Sequence, residues 1–225
     1  MITKIDIEKL TNKHTESIDL YEQAFTHKSS TEDSLASNER LEFIGDSVLS
    51  LVVTKYLYEK YPNENEGFLT RIRTKIVSGK SLSKIALDLG FDRFILMNEK
   101  GMRNEWYKNA RILEDSLESF IGAIFLDAGL NVSQSFIMKY IVLPMNNDEL
   151  LEDNNFKDIL MRYTQGRKLD LPEYKLYCEV GSTGAKMFVV QVFIKNKLIS
   201  EGIHRIKKQA EQKAAKRALQ CFNII

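Results

Sequence analysis

Cysteine is almost missing from this 225-residue chain: Cys178 and Cys221 are the only two, and they form no Cys-x-x-Cys pair. That excludes a disulfide framework and a thiolate metal site, and it favours a reducing, cytoplasmic setting. Histidine is nearly as scarce, with three residues. A di-iron carboxylate bundle needs a Glu-x-x-His pair on each of two helices, and His14, His27 and His204 do not supply two such pairs. No second histidine or positioned nucleophile accompanies His27 in Phe25-Thr26-His27-Lys28-Ser29, so it reads as a structural or capping residue. Proline occurs three times, and it is nearly absent from the periodic stretches, which leaves long helices possible. No run approaches about 18 apolar residues, and Met1-Ile2-Thr3-Lys4-Ile5-Asp6 is too polar for a secretory signal. An intracellular protein without a membrane partner is expected.

What is present divides the chain in two. Residues 156–225 hold 14 Lys and Arg against 6 Asp and Glu, a charge of +8. Taking these from totals of 32 and 31 leaves 18 bases and 25 acids, or −7, for residues 1–155, so a net charge of +1 conceals two modules of opposite sign. A basic module suits a polyanion partner; an acidic one suits divalent cations. From Ile5 to Leu143 the apolar spacing is helical, with stretches at Leu35–Tyr61, Leu82–Leu89, Ile112–Leu126 and Val132–Val142, punctuated by Pro62, Gly90, Gly101 and Gly129. This predicts an all-α domain over residues 1–148. The polar, Asn-rich stretch that follows predicts a linker at 149–155. Beyond it, a helix at Phe156–Gln165, strands at Tyr174–Val180, Phe188–Ile194 and Lys197–Ile203, and a helix at Lys207–Phe222 predict a small α+β domain, α-β-β-β-α, over residues 156–225. Gly181-Ser182-Thr183-Gly184 and Lys195-Asn196 supply its hairpin turns.

The segment Asn38-Glu39-Arg40-Leu41-Glu42-Phe43-Ile44-Gly45-Asp46-Ser47-Val48-Leu49 carries the most chemistry. At roughly 100° per residue, Glu39, Glu42 and Asp46 fall within about 60° of one another, while Leu41, Ile44 and Val48 point elsewhere. Aligned acids without a compensating base repel one another unless a cation sits among them. A second pair, Asp115 and Glu118, lies three residues apart in a later amphipathic helix, where Gly122 and Ala123 permit close helix approach. If the two helices pack together, Glu42, Asp46, Asp115 and Glu118 converge on an all-oxygen site suited to Mg²⁺, with Mn²⁺ as a substitute. Such a cation activates water and stabilises the charge that develops on a phosphodiester. The plain alternative for any one of these acids is a solvated helix face.

These residues resemble the ribonuclease III family of double-strand-specific RNA endonucleases. The 38–49 segment is similar to the family's signature. Ala24-Phe25-Thr26-His27-Lys28-Ser29 before it, and Glu66-Gly67-Phe68-Leu69-Thr70-Arg71 and Asp115-Ser116-Leu117-Glu118-Ser119-Phe120-Ile121-Gly122-Ala123 after it, keep the family's order. The resemblance implies Glu42, Asp46, Asp115 and Glu118 as metal-binding catalytic acids, with Glu39 and Glu66 as accessory acids near the scissile strand. It implies Mg²⁺-dependent hydrolysis to 5′-phosphate and 3′-hydroxyl ends with short 3′ overhangs, and no small-molecule cofactor. It further implies a homodimer in which Phe43 plugs a cavity on the partner; an ordinary core phenylalanine is the alternative for Phe43.

Residues 156–225 resemble a double-stranded RNA-binding domain, the clearest match being Lys207-Lys208-Gln209-Ala210-Glu211-Gln212-Lys213-Ala214-Ala215. Lys207 and Lys208 are expected on phosphates and Gln165 at an RNA-contacting polar position; such modules read duplex shape and 2′-hydroxyls over about 16 base pairs. Three departures stand out. Met161 takes a position where a second Gln is usual, the loop through Gly184 lacks the usual His, and Ile206 replaces a capping Ser or Thr. Affinity is therefore expected to lean on phosphates. The alternative function is a non-catalytic protein that sequesters duplex RNA, and retention of all four acids argues against it.

Overall fold

The computed structural model describes residues 1–146, 151, 155–181 and 186–225. It divides into two compact units, Met1–Leu151 and Glu152–Ile225. Most of the linker expected at 149–155, and residues 182–184 of the first hairpin turn, including Gly184, lie outside the described residues.

Unit 1 is helical: α1 Lys4–Thr11, α2 Ile18–Ala24, α3 Glu39–Lys60, α4 Glu66–Ile76, α5 Gly79–Asp88, α6 Glu99–Arg103 and α7 Ala110–Ile137. Four of these starts carry an Asn or Ser cap that satisfies a free backbone N–H. Asn65 accepts from Phe68, Ser78 from Ser81, Asn98 from Gly101 and Asn109 from Arg111. Two boundaries differ from the sequence expectation. The helix anticipated from Leu35 begins at Glu39, because Ser34–Ala36 forms a separate 3-10 turn capped by Asp33. The stretches 112–126 and 132–142 belong to one rod, bent at Gly129 (φ 79°, ψ −179°) and finishing in a π-helical turn, Met138–Val142.

By length and composition the rod Ala110–Val142 is apolar enough to cross a membrane, with mean hydropathy 1.4 in its most apolar 18 residues. That is an average over a mixed stretch, since uninterrupted apolar residues run only from Phe120 to Leu126. Its apolar side chains line the core instead: Leu117, Phe120, Ile121 and Ile124 are fully buried. Phe120 stands in a ring cluster, 5.1 Å from Phe91 and 5.3 Å from Phe136, and Phe25 meets Phe91 edge-on at 5.0 Å. Such contacts add about 0.5–1.5 kcal/mol each beyond the area they bury. The cluster anchors α7 as the axis around which α2, α3 and α5 pack.

Unit 2 follows the expected order: α8 Phe156–Gly166, β1 Glu173–Val180, β2 Met187–Ile194, β3 Lys197–His204 and α9 Lys207–Cys221. The sheet is antiparallel in the order β1-β2-β3. Lys195 and Asn196 turn β2 into β3 with positive φ at both residues (52° and 59°), as a tight hairpin requires. Leu160, Val192, Ala214, Ala215, Ala218 and Leu219 form a separate core between the sheet and the helices.

Candidate active site

The two acidic helices meet because glycine lets their backbones touch. A Cβ on Gly45 of α3 would lie 1.8 Å from the carbonyl oxygen of Glu118 on α7. Reciprocally, a Cβ on Gly122 would lie 2.2 Å from the carbonyl oxygen of Leu41. One turn earlier, the buried Ser119 hydroxyl donates to the carbonyl of Asn38 at 3.2 Å, fixing the register between the helices. Three contacts at backbone level thus align residues 38–46 with residues 115–122.

That alignment brings carboxylates face to face. Glu42, Asp115 and Glu118 each offer an oxygen, and these oxygens all lie within 4.8 Å of one another. Glu118 is only 9% exposed, and no donor among the described residues pairs with it. Burial, followed by the charges of Asp46, Glu114, Glu42 and Asp115, pushes its carboxyl up to about 8. Glu42 is also raised, by burial and then by Asp115. Asp115 is raised by burial, against the pull of Arg111, whose Nε lies 3.9 Å away. An unpaired carboxylate in such surroundings is costly unless a cation replaces its proton. The donor set, oxygen only and with no His or Cys, suits a hard divalent cation.

The other expected residues of unit 1 lie outside this trio. Asp46 is exposed one turn beyond Glu42 and outside the tight group, near enough that its charge is the largest electrostatic influence on Glu118. Glu39 is exposed and paired with Lys28 at 2.8 Å. Glu66, in the first turn of α4, is outside the trio, and its carboxylate accepts from Thr70 at 2.7 Å. His27 caps the 3-10 turn Lys28–Ser30 through Nδ1, which accepts from the Ser29 N–H, and burial lowers its pKa; this is the capping role expected of it. Phe43 is 79% exposed, which removes the core alternative for this side chain.

Two residues near the site were not picked out from the sequence. Gly45 sits inside the signature segment, but its role depends on a partner helix that no local pattern displays. Glu114 directly precedes Asp115 and is raised by burial and then by Asp115, with Asp46 also contributing. Its signal was present, since Glu114 and Glu118 are spaced i, i+4 on one helical face.

On unit 2, Gln165 is exposed near the end of α8, and Lys207 and Lys208 are exposed in the first turn of α9. Ile206 gives that helix no side-chain cap; its N–H donates to His204 Nδ1 at 3.0 Å. Two lysines oppose the helix dipole, by about 0.3–1 kcal/mol each, with no acid in that turn to offset them. An anion there would relieve the conflict.

Known proteins with the same arrangement identify the lineage. Residues 17–145 match the family model for ribonuclease-III-like domains, and residues 156–220 match the double-stranded RNA binding motif. The ribonuclease 3 of Borreliella afzelii is 37% identical over 214 residues, spanning 92% of this chain and 86% of its own length. The chain belongs to the ribonuclease III family. Protein A464R of Paramecium bursaria Chlorella virus 1 is 39% identical over 224 residues, covering all of this chain and 81% of the relative. The nuclease domain of ribonuclease III from Campylobacter jejuni superposes with a TM-score of 0.60 at 36% identity, covering 65% of this chain and the whole of that domain. Both ribonuclease III modules, helical nuclease and α-β-β-β-α binding domain, are therefore present.

Proposed function

We propose that this ribonuclease III is a homodimeric, Mg²⁺-dependent endonuclease of double-stranded RNA, with Mn²⁺ able to substitute. The observation that carries the proposal is the buried Glu118, without a donor among the described residues, converging with Glu42 and Asp115. We assign residues 1–148 to catalysis, 149–155 to a linker and 156–225 to duplex binding. A divalent cation at this site would activate water and stabilise charge on the phosphodiester under attack. Glu42, Asp115 and Glu118 would hold it, with Asp46 completing the set from the exposed side. The close packing of α3 on α7 preorganises the site, because it gathers the carboxylates against their mutual repulsion before the ion arrives.

Glu39 and Glu66 act as accessory acids beside the scissile strand. On unit 2, Lys207 and Lys208 engage phosphates and Gln165 supports contact with the duplex, so binding rests on shape rather than base sequence. Each subunit cuts one strand, leaving 5′-phosphate and 3′-hydroxyl ends with short 3′ overhangs. The exposed Phe43 ring supports the dimer, since a large apolar side chain in water gains free energy by entering a partner's cavity. A relative, the Campylobacter jejuni nuclease domain, is described for flexibility in the region involved in its dimer formation. A cytoplasmic setting is part of this reading, and the scarcity of cysteine supports it.

The test is incubation of purified protein with long duplex RNA, single-stranded RNA and duplex DNA, in Mg²⁺ and in chelator. Cleavage of duplex RNA alone, and only with Mg²⁺, is expected. Intact duplex RNA in Mg²⁺ would overturn the proposal.

A further inference from the structure

Glu114 is an acid the chemistry above does not use, and its setting is specific. It lies one turn before Glu118 on α7, and its side chain crosses to the first residue of α5, where it rests on Gly79. A Cβ on Gly79 would meet the Glu114 carboxyl carbon at 2.9 Å and Oε1 at 3.0 Å. Glycine at position 79 therefore leaves the space the carboxylate occupies. The positive end of the α5 dipole favours a negative charge in that seat. No lysine or arginine among the described residues forms an ion pair with Glu114. Its charge is left to act on its neighbours, and it is the second-largest electrostatic influence on Glu118, after Asp46.

We propose that Glu114 is a positioning residue of the cation site: held by Gly79 at the start of α5, its carboxylate adds negative charge one helical turn from Glu118 and tightens divalent-cation binding without ligating the ion. This rests on the metal-site reading given above. Outer-shell groups hydrogen-bonded to metal ligands typically contribute about 10–100-fold to metal affinity. A remote carboxylate belongs at the low end, about tenfold.

The experiment titrates Mn²⁺ into full-length protein, followed by the loss of its free-ion paramagnetic resonance signal, for wild type, Glu114→Gln, Glu114→Asp, Gly79→Ala and Glu118→Gln. Glu114→Gln keeps the shape and removes the charge, and should weaken binding about tenfold at an unchanged melting temperature. Glu114→Asp should recover part of the loss. Gly79→Ala, which displaces the carboxylate while leaving its charge, should fall between wild type and Glu114→Gln. In cleavage assays Glu114→Gln should require about tenfold more Mg²⁺ for half-maximal rate and reach the wild-type rate at saturation. If Glu118→Gln weakens binding while Glu114→Gln binds as wild type does, the Glu114 proposal falls and the site stands. If wild type and Glu118→Gln bind Mn²⁺ alike, the site reading falls and takes the proposal with it.

Discussion

Gly45→Ala tests the packing on which the site depends. The added methyl carbon would start 1.8 Å from the Glu118 carbonyl oxygen, 2.7 Å from its carbon and 2.9 Å from the Gly122 nitrogen, all backbone atoms within α7. To reach even 3.0 Å from that oxygen the helices must part by at least 1.2 Å there, and no side chain can move aside in their place. Overpacking of this kind costs about 1–3 kcal/mol. Against it stands a gain of about 1 kcal/mol from replacing glycine by alanine inside a helix. A net loss of up to about 2 kcal/mol corresponds to a melting temperature lower by up to about 8 °C in a unit of this size. The effect on chemistry is larger. Glu42 and Asp46 ride on α3, Asp115 and Glu118 on α7, and a misplacement of about 1 Å costs about 100-fold in rate. Assayed well below its melting point, Gly45→Ala should cleave duplex RNA about 100-fold more slowly while shifting it in gels as wild type does, because unit 2 is untouched. Gly122→Ala should act in the same direction and less severely, since its closest approach is 2.2 Å. Wild-type cleavage and melting in Gly45→Ala would refute the backbone contact.

Metal dependence of stability should vary with pH. Glu118 is held at about 8 in the folded chain against an ordinary 4.5, and Glu42 and Asp115 are raised as well. A carboxyl raised by folding favours the folded state fully below its unfolded pKa, and that contribution is lost as pH climbs through the folded value. Metal-free protein should therefore lose stability between about pH 4.5 and pH 8, and Mg²⁺ should raise the melting temperature more at pH 8 than at pH 5; equal increments would contradict the burial of these acids. Replacing both Lys207 and Lys208 by Ala should weaken binding to duplexes of any sequence and flatten the log–log salt slope by about 1–2, whereas a sequence-selective loss would argue for base contacts. Phe43→Ala should leave monomer stability unchanged, since the ring is exposed, and raise the dimer dissociation constant about 30-fold, read by sedimentation; an unchanged dimer would remove Phe43 from the interface.

Helical periodicity made the acid-bearing face of α3 legible, because three carboxylates on one wall conflict with ordinary surface design. The order α-β-β-β-α was equally plain: alternation marks the strands, and the Lys195-Asn196 turn separates β2 from β3 by two residues. The start of α3 was harder to read, since the 3-10 turn Ser34–Ala36 carries spacing like that of an α-helix and Asn38 supplies no side-chain cap hydrogen bond to mark the boundary. Gly45 and Glu114 were missed for a different reason. Gly45 takes its meaning from the Glu118 carbonyl far along the chain, so no local window contains its signal; Glu114 shares the Glu118 face within one local window, but the contact with Gly79 that seats it is remote. Phe43 was undecided for the same reason, until its exposure excluded the core.

The central claim is that the clustered carboxylates around the buried Glu118 serve cleavage and not binding. Glu118→Gln, assayed with Mg²⁺ on long duplex RNA by gel shift and by product analysis, tests it most directly. Retained binding with cleavage abolished is predicted. Cleavage at the wild-type rate would contradict the account.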